Sequence, residues 1–472
     1  MILIGLEVHV QLNTKTKLFC ACSTNFKDEG KPNTNTCPTC LGMPGAKPSF
    51  NRGVFEKALA VSLALNGTIS SEMFFSRKTY FYPDMPKNFQ TTQYELPISQ
   101  GGYLIIKVDG KDKKIRLRRV HIEEDPGKLV HVGGDITHSK YTLVDYNRSG
   151  LPLVEIVTEP DLSTPAQARE FMQKLRSILQ HLGVYEDSFV MKADANVSIH
   201  GGNRVEIKNI TGAKNIEKAL LFEISRQKML YERKTPIEQH TRHFNAASGI
   251  TKSLRTKEEE ADYGYIFEPD LPLYDINKKA VADAKRALPE LPDVRISRFV
   301  KDLALNRDVA DALVLVDKAL ADFFEATFKH YKNAQNLANW TATFLLKSLH
   351  YQKKTIAQVR ITPQNFAKLL SMLETGEITN KVAKEVLKTD EFLHGESPKT
   401  IVETKGWKTL SDEKALTRAV DKAMKAHQKA VADIKAGQDK AVNFLLGQVL
   451  RELGVSADLD KVRQLILERA RK

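Results

Sequence analysis

The 472-residue chain has no run of roughly eighteen apolar residues, the least that crosses a bilayer as a helix, so nothing in it is expected to span a membrane. It is poor in cysteine: Cys20, Cys22, Cys37 and Cys40 are the whole complement, a local set that suits a reducing compartment and one metal site. Neither G-x-x-x-x-G-K-[ST] nor G-x-G-x-x-G occurs, so a nucleotide, if bound, is not held by a P-loop or a Rossmann turn. No internal repeat is found. The opening Met1-Ile2-Leu3-Ile4-Gly5 has no basic flank or small-residue cleavage site and runs into a strand pattern. A leader peptide is therefore not expected, and a cytoplasmic location is.

What is present is ordinary in bulk and basic in charge. Hydrophobic residues make up 42% and charged residues 27%, as in globular proteins, and the length predicts two to four domains. A formal net charge of +13, with a pI near 9.3, favours polyanionic partners such as nucleic acid. Solvated lysine faces are the plainer explanation of the same surplus. Residues 1–293 mix short alternating strands with a few helices and no repeating βαβ order, which predicts an α+β body. Ile2–Leu12, Tyr103–Val108, Leu151–Val157, Val190–Ile199 and Val205–Ile210 read as strands. Phe55–Leu65, Pro165–Leu182 and Asn215–Tyr231 carry helical periodicity. Past the proline-punctuated Leu288-Pro289-Glu290-Leu291-Pro292 the pattern is wholly helical. A break at Gly395–Thr400 divides it into a helical domain, 294–398, and a small helical tail, 399–472; from Ile401 the tail has 15 Lys+Arg against 10 Asp+Glu.

Three segments have the composition of sites. Cys20-Ala21-Cys22 and Cys37-Pro38-Thr39-Cys40 can each place two thiolates on one ion, giving a closed tetrahedral set that suits structural Zn²⁺ better than catalytic Zn²⁺. A redox role for the C-x-x-C is disfavoured, since Cys37 does not open a helix after a strand; four unrelated buried cysteines are the bland reading. Glu7 and His9 share one face of a strand, His121-Ile122-Glu123-Glu124-Asp125 is followed by Pro126-Gly127-Lys128, and Glu155 lies in the apolar strand Leu153–Val157. Such carboxylates can converge on Mg²⁺, which prefers oxygen ligands, or they can be ordinary paired surface groups. An acid in an otherwise apolar strand favours the former, because burying it unpaired is costly. Arg77-Lys78-Thr79-Tyr80-Phe81-Tyr82-Pro83-Asp84 joins cations to aromatics at a turn, which suits a nucleobase or tRNA end and equally a core aromatic patch.

Longer strings resemble a known family. Ile4-Gly5-Leu6-Glu7-Val8-His9-Val10-Gln11-Leu12, Tyr80-Phe81-Tyr82-Pro83-Asp84, Glu123-Glu124-Asp125-Pro126-Gly127-Lys128, Asp145–Ile156, Asp194-Ala195-Asn196-Val197-Ser198, Glu206-Ile207-Lys208-Asn209 and Glu268–Pro272 resemble the B subunit of aspartyl/glutamyl-tRNA amidotransferases. Lys440–Val449 is similar to that family's tail. The resemblance implies a cradle-shaped α+β domain, a helical domain and a YqeY-like tail, in a heterotrimer with an amidase subunit and a small third subunit. It implies an ATP- and Mg²⁺-dependent ligase that phosphorylates the side-chain carboxylate of misacylated Glu-tRNA(Gln) or Asp-tRNA(Asn) and lets ammonia from the amidase displace the phosphate. By similarity, Glu7, His9, Glu124 and Glu155 are expected as Mg²⁺ ligands, and Lys78 as a phosphate contact. Tyr80, Tyr82, Asp84, Glu123, Asp194, Asn196, Glu206 and Lys208 are expected to shape the pocket. Lys440, Asn443, Gly447 and Gln448 are expected to face tRNA, with Gly447 allowing close backbone approach.

The chain departs from the family's bacterial pattern at Met191-Lys192-Ala193-Asp194, where an Arg-Cys-Asp string is usual, and at Gly264, where arginine is usual. A zinc-stabilised RNA-binding scaffold without catalysis would share the composition and cysteines, but not the in-line acidic strand motifs. A self-contained amidase is disfavoured, since no amidase signature is found and every cysteine is committed to the metal set.

Overall fold

The computed structural model describes residues 1–25, 31–133, 139–186, 189, 191–256, 264–408, 413–435, 439–453 and 459–471. The chain divides into two compact units, Met1–Pro292 and Asp293–Lys472. The first is the mixed body and the second is helical throughout its described residues, so the molecule is α+β.

The first unit is built on one large sheet. Its strands, in chain order, are β1 (Ile2–Gln11), β2 (Lys111–Glu124), β3 (Pro152–Thr158), β4 (Met191–Ile199), β5 (Val205–Thr211), β6 (His240–Asn245) and β7 (Ile250–Thr256). They lie side by side in the order β7-β6-β5-β4-β1-β3-β2, with shorter strands beyond β2. All these neighbours are antiparallel except β5 and β6. The N-terminal strand therefore occupies the centre. The expected strand Val190–Ile199 matches β4, except that Val190 lies outside the described residues.

Period-two alternation gives this sheet two unlike faces. Ile4, Leu6, Val8 and Val10 of β1, Val154 and Ile156 of β3, Val120 and Ile122 of β2, and Ala193, Ala195 and Val197 of β4 are all buried in one core. Two helices, α1 (Pro165–His181) and α2 (Ala213–Glu232), contribute to that core through Phe171, Met172, Leu175, Ile216 and Leu220. Thr164 caps α1 by accepting from the amide of Gln167, and Pro165 sits in its first turn, where a missing N–H costs nothing. The opposite face has the polar residues at the alternate positions.

A separate three-stranded sheet joins Ser76–Thr79 to Phe89–Thr92 and Gly264–Phe267, with Lys78 across from Gln90 and Tyr265.

The helical unit has two separate cores. One runs from Ile296 to Val402 and the other from Leu416 to Ile466. Helix Pro398–Thr404 buries Ile401 and Val402 in the first core, and Trp407 packs against the same core. The break at Gly395, whose φ of 95° needs glycine, is thus a turn inside the helical domain, and the tail's own core begins with the helix Glu413–Ala426.

Candidate active site and cysteine centre

The four cysteines meet at one point. Their sulfurs all lie within 4.8 Å of one another. Four thiolates about 2.3 Å from a central zinc stand roughly 3.8 Å apart, so the donor set fits a tetrahedral ion. A second observation agrees. Lys17 is fully buried, and its ammonium donates to the carbonyl of Asn35 at 2.9 Å and lies 3.7 Å from Cys40 Sγ. A buried ammonium needs a counter-charge, and a tetrathiolate zinc centre, formally −2, supplies one. The hydrogen bond from Cys20 pulls the Cys40 thiol down to about 5, aided by the Cys37 amide and Lys17. Burial pushes Cys22 up to about 11. Cys37 caps a four-residue helix, Pro38–Leu41, but that helix follows a loop rather than a strand, in line with the expectation that Cys37 opens no helix after a strand.

The carboxylates assemble on the sheet's polar face because register aligns them. His9 pairs with Glu155 on one side and Lys192 on the other, Glu155 pairs with His121, and Glu7 pairs with Asp194. Two groups result. In the first, His9 Nδ1 lies 2.9 Å from Glu123 and 3.9 Å from Glu155, while His121 Nε2 lies 3.1 Å from Glu155. In the second, Glu7, Asp194 and Glu206 bring carboxylate oxygens within 4.8 Å of one another. Lys208 donates to Asp194 at 3.2 Å and lies 3.5 Å from Glu206. A register shift in β4 between Ala193 and Ala195 lets Asp194 also accept from the amide of Asn209, whose positive φ of 58° asparagine tolerates.

The electrostatics show acid in excess. Burial raises the Glu7 carboxyl, and Glu155, Asp194 and Glu206 raise it further. Burial alone would lower His9, but Glu155 and Glu123 outweigh it and lift the ring to about 10. Glu155 is buried, yet His121 and His9 hold it well below the usual carboxylate range, with help from Lys78. Asn196 Nδ2 donates to Glu7 at 2.9 Å, whereas its Oδ1 is buried with no partner, as is Nδ1 of His121. An orphaned amide oxygen among crowded carboxylates is the donor set a hard cation takes.

Glu124 does not join these groups. Alternation turns it away from Glu123, and its carboxylate pairs with Lys87 and accepts from the amide of Thr91 at 2.8 Å. It lines a cavity of about 250 Å³ with Cys40, Lys87, Arg77 and Glu268, a cavity that includes neither acidic group. Glu124, expected as a ligand, thus lies apart from both acidic groups, and Glu123, one residue earlier, is the carboxylate that meets His9. Asp84 is half-buried with one carboxylate oxygen unpartnered, its pKa raised by burial and by Asp125. Tyr80 is half-buried and Tyr82 exposed. In the tail helix Asp439–Leu453, Lys440, Asn443 and Gly447 are exposed and Gln448 is half-buried, while Val442, Leu445 and Val449 enter the core. Among the described residues nothing lies within 4 Å of where a Gly447 Cβ would stand, so the close approach expected of that glycine is not made by any of them.

Four clustered cysteines and a sheet with one apolar and one acidic face mark the N-terminal unit. Residues 2–282 match the family described as GatB/GatE catalytic domain, and residues 322–469 match the one described as GatB domain. The chain is 46% identical over 477 residues to the B subunit of the aspartyl/glutamyl-tRNA(Asn/Gln) amidotransferase of Methanoregula boonei, covering 99% of this chain and 97% of that protein. The B subunits of the same enzyme from Sulfurisphaera tokodaii and Thermotoga maritima are each 44% identical over 473 residues, covering 99% and 98% of this chain and 98% and 97% of theirs. The chain belongs to the GatB family.

Proposed function

We propose that this chain is the carboxylate-activating, tRNA-binding subunit of a glutamine-dependent aminoacyl-tRNA amidotransferase, acting in the cytoplasm with an amidase subunit and a small third subunit. The observation that carries the proposal is the pair of acidic groups on one sheet face, where burial, and after it repulsion from Glu155, Asp194 and Glu206, raises Glu7. A scaffold that only binds RNA has no use for such crowding, which costs stability.

In this reading Glu7, His9, Glu155, Glu123, Asp194 and Glu206 are the residues that would hold Mg²⁺. The ion supplies charge neutralisation between these carboxylates and the phosphates of ATP. Lys78 and Lys208 border the same face and meet phosphate oxygens. Asn196 orients Glu7 through its amide, and Tyr80, Tyr82 and Asp84 wall the entrance. The side-chain carboxylate of the misacylated Glu-tRNA(Gln) or Asp-tRNA(Asn) attacks the terminal phosphorus, and ADP leaves. Ammonia from the amidase then attacks the acyl carbon, forming the C–N bond as the P-bearing oxygen departs with inorganic phosphate. The acyl phosphate splits one hard displacement into two easier ones. Cys20, Cys22, Cys37 and Cys40 would hold Zn²⁺ in a structural role, tying down the surrounding loop rather than activating water. The body (1–293) does the chemistry, the helical domain, from 294 through Trp407, links, and the tail from Glu413 onward, through Lys440, Asn443, Gly447 and Gln448, grips tRNA.

The test is amidation of each misacylated tRNA by the complex reconstituted with its amidase, with glutamine or free ammonium as nitrogen donor. Wild type should amidate with ATP, and Glu155→Gln should not. ATP-independent amidation, or full activity in Glu155→Gln, would overturn the assignment.

A further inference from the structure

We propose that Phe81 is the stacking platform for the 3′-terminal adenosine of the aminoacyl-tRNA, holding that base while the attached side-chain carboxylate reaches the acidic face. The inference rests on the function proposed above and adds the place where the RNA end is held.

Phe81 is 80% exposed and its neighbour Tyr82 is 44% exposed. Among the described residues no other ring packs on Phe81. The segment is nevertheless fixed. Met85 donates its amide to the carbonyl of Tyr82 at 2.9 Å, Gly127 to that of Asp84 at 2.8 Å, and the Tyr146 hydroxyl to that of Pro83 at 2.7 Å. A Cβ at Gly127 would stand 3.2 Å from the Asp84 carbonyl, so the glycine is what lets the two segments close. Two hydrogen bonds from outside the segment, one turn bond within it and a proline thus hold out a bare phenyl ring that the fold makes no use of.

Its position suits one ligand. Lys78 lies across from Gln90, whose side chain donates to the carbonyl of Glu124, the residue next to Glu123 of the acidic groups, and Phe81 is three residues further along the chain, a span of at most about 10 Å. In an aminoacyl-adenosine about nine covalent bonds separate the glutamyl side-chain carboxyl from the purine, and at about 1.5 Å each they zigzag to roughly the same distance. A carboxylate placed at the acidic groups therefore sets its own adenine within reach of this ring. Unpaired bases stack on aromatic side chains whatever their sequence, and a chain of net charge +13 draws the RNA that carries them. A protein partner would need a broad patch rather than one ring on a turn. The other source of the same chemistry is the adenine of ATP, and the assay separates the two.

In the reconstituted complex, ammonium-dependent amidation is measured for Phe81→Ala, Phe81→Leu and Phe81→Trp. The KM for aminoacyl-tRNA should rise about five- to hundredfold in Phe81→Ala, the range for loss of one stacked base. It should rise as far in Phe81→Leu and stay near wild type in Phe81→Trp, while the KM for ATP holds steady in all three. The natural tryptophans, Trp340 and Trp407, both lie in the helical unit, so Phe81→Trp also adds an optical reporter to the first unit. With wild type as background, its fluorescence should be quenched by an acceptor-stem RNA hairpin, and much less by the same hairpin without its 3′-terminal nucleotide. An unchanged tRNA KM in Phe81→Ala, full function in Phe81→Leu, a rise in ATP KM alone, or quenching indifferent to the terminal nucleotide would each overturn the proposal. Failure of wild type to amidate at all would instead strike the functional assignment, and the quenching comparison would still decide whether Phe81 meets an RNA end.

Discussion

Replacing Glu7 by glutamine isolates the crowding on the polar face. Its carboxylate shares a 4.8 Å neighbourhood with those of Asp194 and Glu206. At an effective dielectric of about 20, each such pair of like charges costs about 3 kcal/mol. Lys208 returns part of this, and a carboxyl whose pKa is already raised escapes more of it by taking up a proton. The net relief left for the substitution is about 1–2 kcal/mol. Glutamine keeps the oxygen that accepts from Asn196 Nδ2, so no hydrogen bond is sacrificed. Metal-free Glu7→Gln should therefore melt higher than wild type, by roughly 2–6 °C in the transition of the N-terminal unit. Added Mg²⁺ should stabilise wild type by mass action and leave the variant nearly unmoved. Calorimetry in chelator, then across a Mg²⁺ series, reads both effects, with amidation lost in parallel. A variant that melts lower than wild type in chelator, or that keeps the wild-type response to Mg²⁺, would refute the reasoning.

Metal analysis of the reduced protein should find one zinc per chain, with Cys40→Ser releasing it and exposing the 19–45 loop to protease; a stoichiometry near zero removes the zinc site. Because His9 is raised to about 10 in the folded, metal-free protein, from about 6.5 when unfolded, its stabilisation is complete below pH 6.5 and fades as pH climbs toward 10. Melts across that window should slope downward in wild type and flatten in His9→Gln, and equal slopes would discard the His9–Glu155–Glu123 coupling. Ending the chain after Lys408, beyond the buried Ile401 and Val402, should spare the first helical core while weakening tRNA binding and its salt dependence. An unchanged salt slope would place the phosphate contacts elsewhere.

Much of this was legible in the sequence, and the misses share a cause. Apolar alternation in Ile4–Val10 and the i, i+4, i+7 spacing of Phe171, Leu175 and Ile178 announce a strand and a helix that bury one side each, and both formed as read. The cysteine spacing carried its centre because both pairs are local. The acidic face was harder, since Glu7, Glu123, Glu155, Asp194 and Glu206 lie on five strands, and only register brings them together. Glu124 was preferred to Glu123 on family likeness, although His121 and Glu123 already shared a parity that Glu124 breaks. Lys17 gave no signal at all, because a lysine near two cysteines looks like any other until its burial is known. The Gly395 break was legible as a turn but not as an interior one, since only packing shows that Ile401 and Val402 belong to the core before it.

The central place of β1 has a consequence for the chain's synthesis. Its neighbours, β3 and β4, end about 150 and 190 residues later. At roughly 5–20 residues per second, β1 waits on the order of ten seconds or more after its own synthesis before both of its edges are covered. During that interval Ile4, Leu6, Val8 and Val10 form an apolar stripe with unpaired backbone on either side, the kind of segment that other nascent chains capture. Glu7 and His9, set between those residues, carry charge into the exposed stripe and make such capture less favourable.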